Sequence, residues 1–131
     1  MSRETVEIVR RSYEAYVRGD LDGALAMADP EIEVYDHDIL DAREYRGVEG
    51  VLRWQADWEG SWETWRSEPE HFIDAGDRVV AILRVRAKGR HSGVEVERVD
   101  GAVFTFSHNK VVRLDYYNDR SQALKSVGLD E

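Results

Sequence analysis

Val6, Val9, Tyr13, Tyr16 and Val17 recur at three- and four-residue spacing, so they lay one apolar stripe along a helix that starts near Ser2. Ser2 is placed to cap it, Glu4 and Glu7 suit the positive end of its dipole, and Gly19 supplies a stop. Asp20 then caps a short second helix carrying Leu21, Ala24, Leu25 and Ala28, closed at Asp29 and Pro30, where the residue before proline leaves helical space. The period changes to two in "EIEVYD", which puts Ile32, Val34 and Asp36 on one face of a strand. After a polar connection over residues 38–50, helical spacing returns. Val51, Trp54, Trp58, Trp62 and Trp65 share a face, and Gly60 with Ser61 ends or frays that helix before Trp65.

The remainder alternates as strands. "EHFIDAG" runs to a turn, "RVVAILRVRA" follows, and "VEVERVDGAVFTFS" and "KVVRLDYYN" are joined by a turn at "HN". Asp119 caps a closing helix that Gly128 stops. Helices first and a strand meander afterwards predict one α+β domain over residues 1–131: a curved antiparallel sheet wrapped around N-terminal helices, with a central pocket.

Alternation also sorts the sheet faces. Val79, Ala81, Leu83, Val85 and Ala87 form an apolar inner set, while Val80, Ile82, Arg84 and Arg86 form an outer set suited to a partner surface or solvent. Ala102, Phe104 and Phe106 continue the inner face, with Asp100 on it unless Gly101 bulges. Val112, Leu114, Tyr116 and Asn118 share a face of the last strand. If the helices leave the concave side partly unfilled, it becomes an apolar pocket with a few polar groups. Its expected lining is Tyr13, Tyr16, Trp54, Trp58, Leu83, Phe104, Leu114 and Asn118, a set suited to a small, mostly apolar organic molecule.

Composition narrows the partners. The 131 residues carry a net charge of −9, which opposes binding to nucleic acid and to anionic membranes. No apolar run reaches the ~20 residues of a membrane span. The absence of cysteine removes disulfides and thiolate metal sites and is compatible with a reducing cytoplasm. His37, His71, His91 and His108 show no ligand spacing, so neither a metal nor any other cofactor is expected.

The order of elements, with "YEAYVRGDLDGALAMADPEIEVYD", "RGVEGVLRWQADW" and "NKVVRLDYYNDRSQALKSVGL", resembles the SnoaL-like branch of the nuclear-transport-factor-2-like, ketosteroid isomerase-like superfamily. That resemblance implies a cone-shaped α+β barrel and a homodimer through the outer sheet face, where Arg84 lies. It also places Asp36 where the isomerases keep a proton-abstracting carboxylate, a system in which a base works beside an oxyanion hole. Ser12 falls where they keep a helix-1 tyrosine, with Tyr13 adjacent, and Ala102 where they keep a donating acid. Tyr116 falls where related cyclases keep an aspartate, and Asp115 is one residue away. The isomerase mechanism itself is therefore not expected.

Two readings follow. In one, Asp36, Tyr116 and Asp100 carry general acid–base chemistry on a carbonyl, epoxide or hydroxyl compound. In the other, the chain is a non-catalytic ligand-binding or dimerisation module, with Asp36 capping its loop or pairing with Arg43 or Arg46.

Overall fold

The computed structural model describes residues 2–38 and 42–129. The first helix, α1 (Ser2–Val17), buries Thr5, Val9 and Ala15, with Val9 in the main core. The expected capping side chain of Ser2 lies outside the described residues. Val17, expected in the buried stripe, is 70% exposed as the last residue of the helix, before the chain turns at Gly19 with φ +82°. In α2 (Leu21–Leu25), Asp20 accepts from the Gly23 amide at 2.9 Å. Ala28, assigned by its spacing to this helix, instead opens β1 (Ala28–Asp36). The cause is tertiary: Ala28 pairs with Val111, and the Val111 amide donates to the Met27 carbonyl at 2.9 Å. Asp29 and Pro30 therefore lie within a strand, where its pairing is irregular between Ala28 and Glu33 and the missing proline N–H is tolerated.

A short strand, β2 (Arg43–Arg46), occupies part of the expected polar connection and leads into α3 (Gly47–Ser61). The helix runs through Gly60 and stops at Trp62, which is extended. Trp62 and Trp65 thus belong to β3 (Trp62–Ala75) rather than to the helix, and this strand starts well before the expected "EHFIDAG". Its early half is held by pairing with the next strand, Trp65 facing Ala87 and Ser67 facing Val85. β4 (Arg78–Gly89), β5 (Glu95–Ser107), β6 (Lys110–Tyr117) and α4 (Arg120–Ser126) complete the chain.

The six strands form one sheet in the order β2-β1-β6-β5-β4-β3. It is mixed rather than wholly antiparallel, because β1 and β6 run parallel. Val79, Ala81, Leu83 and Val85 share the main core with Phe104 and Leu114, and Tyr13, Trp54 and Trp58 pack against it from the helices. On the opposite face Val80 and Ile82 are covered by Ala123 and Leu124 of α4, so only the basic end of that face is left open.

Register through Gly101 is continuous, with Leu83 facing Asp100 and Ala81 facing Ala102, so Asp100 stays on the core side. Glycine is required there by α4: an added Cβ would lie 2.3 Å from the Ala123 Cβ. An irregularity occurs instead between Thr105 and Phe106, and it turns Val111 rather than Val112 into the core.

Candidate active site

The last pair of the β1 to β6 ladder brings the polar groups together. Asp36 and Tyr116 are direct neighbours on these parallel strands, and Tyr116 pairs in turn with Ala102 of β5. Two residues along β5 from Ala102 stands Asp100, which is fully buried. Alternation alone therefore gathers Asp36, Asp100 and Tyr116 on the concave face.

Asp36 ends an apolar face, as its sequence position indicates, and it is half-buried. Its carboxylate accepts from the Trp54 indole N–H at 2.9 Å. No cation among the described residues lies within ion-pair distance of it; Arg43, one of its expected partners, pairs with Asp57 at 3.3 Å. Burial pushes the Asp36 carboxyl above its ordinary value, while the Trp54 bond pulls it down.

Asp100 is held differently. Arg98 donates to it through Nε at 2.7 Å and Nη2 at 3.2 Å, and Tyr116 donates its hydroxyl proton to Oδ2 at 2.5 Å. Burial raises the Asp100 carboxyl, opposed by Arg98 and then Tyr116. Tyr116 is raised well above the usual phenol value, first by burial and then by the Asp100 charge. The Arg98 guanidinium lies 5.9 Å from the ring centres of both Trp58 and Trp62. With the Asn118 carboxamide oriented to suit its neighbours, its oxygen accepts from Arg98 at 3.1 Å and its nitrogen donates to Asp38 at 3.2 Å.

Two spaces flank this network. An apolar chamber of about 150 Å³ is lined by Tyr13, Tyr16, Trp54, Trp58, Leu83, Phe104, Leu114 and Tyr116. A polar cleft of about 340 Å³ is lined by Asp36, Asp38, Tyr45, Trp54, Arg98 and Asn118, with Tyr116 and Trp58 again in the wall. Trp54, Trp58 and Tyr116 form the partition, Trp54 meeting Tyr116 edge-on at 5.5 Å and Trp58 meeting it at 6.2 Å. Seven of the eight expected lining residues border the chamber, and Asn118 borders the cleft instead. Asp100 borders neither and reaches them through Tyr116.

Arg98 was not among the residues singled out from sequence, although period two places it on the face of Asp100. A basic residue near a strand end reads as solvated, and only the buried carboxylate and the two indoles make it otherwise. His37 turns outward and bonds Asp115 at 2.8 Å while stacking on Tyr117, so Asp115 is removed from the concave side. Among the described residues no group of three His, Cys, Asp or Glu is disposed to hold a metal ion.

Residues 9–114 match the SnoaL-like domain model, and the chain belongs to that family. No protein of curated function matches it in sequence. Solved structures with the same fold include an NTF2-like protein of unknown function from Burkholderia pseudomallei, 22% identical with a TM-score of 0.79, covering 95% of this chain and 98% of that one. TerC co-crystallized with polyporic acid is 20% identical, with a TM-score of 0.75 over 95% of this chain and 98% of that one. A candidate SnoaL-like polyketide cyclase from Jannaschia is 18% identical, with a TM-score of 0.77 over 99% of this chain and 95% of that one. The chain is thus a SnoaL-like domain with the NTF2-like cone fold.

Proposed function

We propose that this SnoaL-like domain binds a small, mostly apolar organic molecule in the chamber and acts on its polar end by general acid–base chemistry, with Asp36 as the base. The observation that carries this reading is the placement of Asp36: half-buried, raised by burial, bonded to a neutral indole, and adjacent to Tyr116 at the chamber partition. A carboxylate so held takes a proton near neutral pH more readily than one in an ion pair. The ligand's apolar body occupies the chamber, and its reacting atom lies at the partition, where Trp54 and Tyr116 separate chamber from cleft. The cyclase description of the Jannaschia relative is in keeping with such a ligand. Isomerisation, cyclisation, hydration and hydrolysis all fit a single base beside an apolar chamber.

A second reading, binding without catalysis, is favoured by one observation: neither Asp36 nor Asp100 borders the chamber. A thermal-shift screen against ketones, epoxides and polyketide-like aromatics, followed by turnover assays with wild type and Asp36→Asn, separates the two. Loss of turnover by about 10²- to 10⁴-fold with binding retained is the expected result for a base. Equal stabilisation of both proteins with no turnover by either selects the binding module.

The proposal extends to a homodimer through the outer faces of β3 to β5. There Arg84 bonds Glu70 at 3.0 Å and Glu97 at 3.1 Å, and Arg86 lies 3.8 Å from Glu97, a strip of both signs that a two-fold copy can complement. Sedimentation equilibrium is expected to give twice the chain mass; a monomer at all concentrations removes this assembly.

A further inference from the structure

We infer that the group the chamber recognises is a neutral hydroxyl on a single-ring molecule, read by Tyr13 as donor and Tyr116 as acceptor. This rests on the chamber being the ligand site, and it adds the polarity of that site and the chemical class it takes.

Tyr116 has its proton committed. It donates to Asp100 at 2.5 Å, and the same carboxylate receives two bonds from Arg98, a group that can only donate. Asp100 is therefore satisfied as an anion, and the phenolic hydrogen points toward it rather than toward the chamber. What Tyr116 can offer a ligand is its oxygen lone pair. Arg98 and Asp100 are positioning residues: they fix which way the Tyr116 hydroxyl faces.

Tyr13 is the opposite case. It walls the same chamber from α1, edge-on to Phe104 at 6.0 Å, and among the described residues its hydroxyl has no hydrogen-bond partner. Enclosure raises its pKa, with Tyr16 and Asp100 adding to the effect, so it keeps its proton. The other chamber hydroxyls with recorded bonds are already used as donors, Ser12 to the Ala24 carbonyl at 2.8 Å and Tyr16 to Gln55 at 3.0 Å. The Tyr13 proton is therefore uncommitted, and a ligand oxygen in the chamber can accept it.

No charged side chain borders the chamber among the described residues, which excludes an ionised ligand group there. The smallest neutral group that accepts from one tyrosine and donates to the other is a hydroxyl. The volume of about 150 Å³ sets the size: an apolar cavity of roughly that volume holds one benzene ring.

The test uses three molecules of similar size with graded polarity: p-cresol, which donates and accepts; its isomer anisole, which only accepts; and p-xylene, which does neither. Calorimetric or fluorescence titration of the wild-type chain is expected to rank them in that order, each step about fivefold in Kd, the effect of one net hydrogen bond. Tyr116→Phe is expected to abolish the preference for p-cresol over anisole, and Tyr13→Phe the preference for anisole over p-xylene. A merely structural role for either tyrosine would weaken all three ligands alike. Anisole binding as tightly as p-cresol to wild type, a comparison that needs no variant, overturns this inference and leaves the base assignment of Asp36 standing. Failure of all three to bind also overturns this inference, and the screen against ketones, epoxides and polyketide-like aromatics then decides separately whether the chamber is a ligand site.

Discussion

Asp36 owes its character to two local facts, its place at the end of an apolar strand face and the indole that holds it. A carboxyl raised by burial is stabilised by the fold in its neutral form. Its contribution to stability is therefore full below the ordinary carboxyl value of 3.8 and declines as pH rises through the raised folded value. Asp36→Asn keeps an oxygen to accept from Trp54 and removes the penalised charge. The variant is expected to melt above wild type at neutral pH, the difference closing as pH falls toward 3.8. A variant that melts lower at neutral pH would show that the Asp36 charge is compensated in the fold. Tyr13, Tyr116 and Asp36 were legible as single residues because alternation and helical spacing assign faces. Their hydrogen-bond directions were not, since these depend on Arg98 and Asp100, whose pairing requires the buried geometry of β5.

At the scale of elements, the tryptophan run shows how spacing can mislead. Trp54, Trp58, Trp62 and Trp65 keep helical intervals, yet the chain changes from α3 to β3 at Trp62. Side chains on both sides of that junction meet, Trp58 and Trp62 at 5.7 Å, so a common packing target imitates a helical face. The parallel pairing of β1 with β6 was equally hidden, because it joins residues about eighty positions apart and nothing local encodes it. Gly101 was read from sequence as a possible bulge; its role is to admit α4. Gly101→Ala would bring a methyl against Ala123 and is expected to destabilise the chain by about 1–3 kcal/mol, an overpacking cost, measured by urea denaturation. A cost below about 0.5 kcal/mol, within the range of neutral surface changes, would mean that α4 shifts freely on the sheet.

For the whole molecule, the cone leaves one apolar chamber beside a polar cleft, with Trp54, Trp58 and Tyr116 between them. The fold was legible because the order of elements and the closing strand-to-helix segment are distinctive, and because the inner faces of β4 and β5 alternate cleanly. The division of the concave side into two spaces was not, since it arises from ring orientations across the partition. Everything proposed about function depends on a ligand entering the chamber rather than resting at its rim, where Val17 and Leu21 are exposed. The most direct measurement is intermolecular nuclear Overhauser contact between p-cresol ring protons and leucine and valine methyls. Contacts to Leu83 and Leu114 are predicted; contacts to neither, with only the Val17 methyls outside the chamber approached, would contradict the chamber as the ligand site.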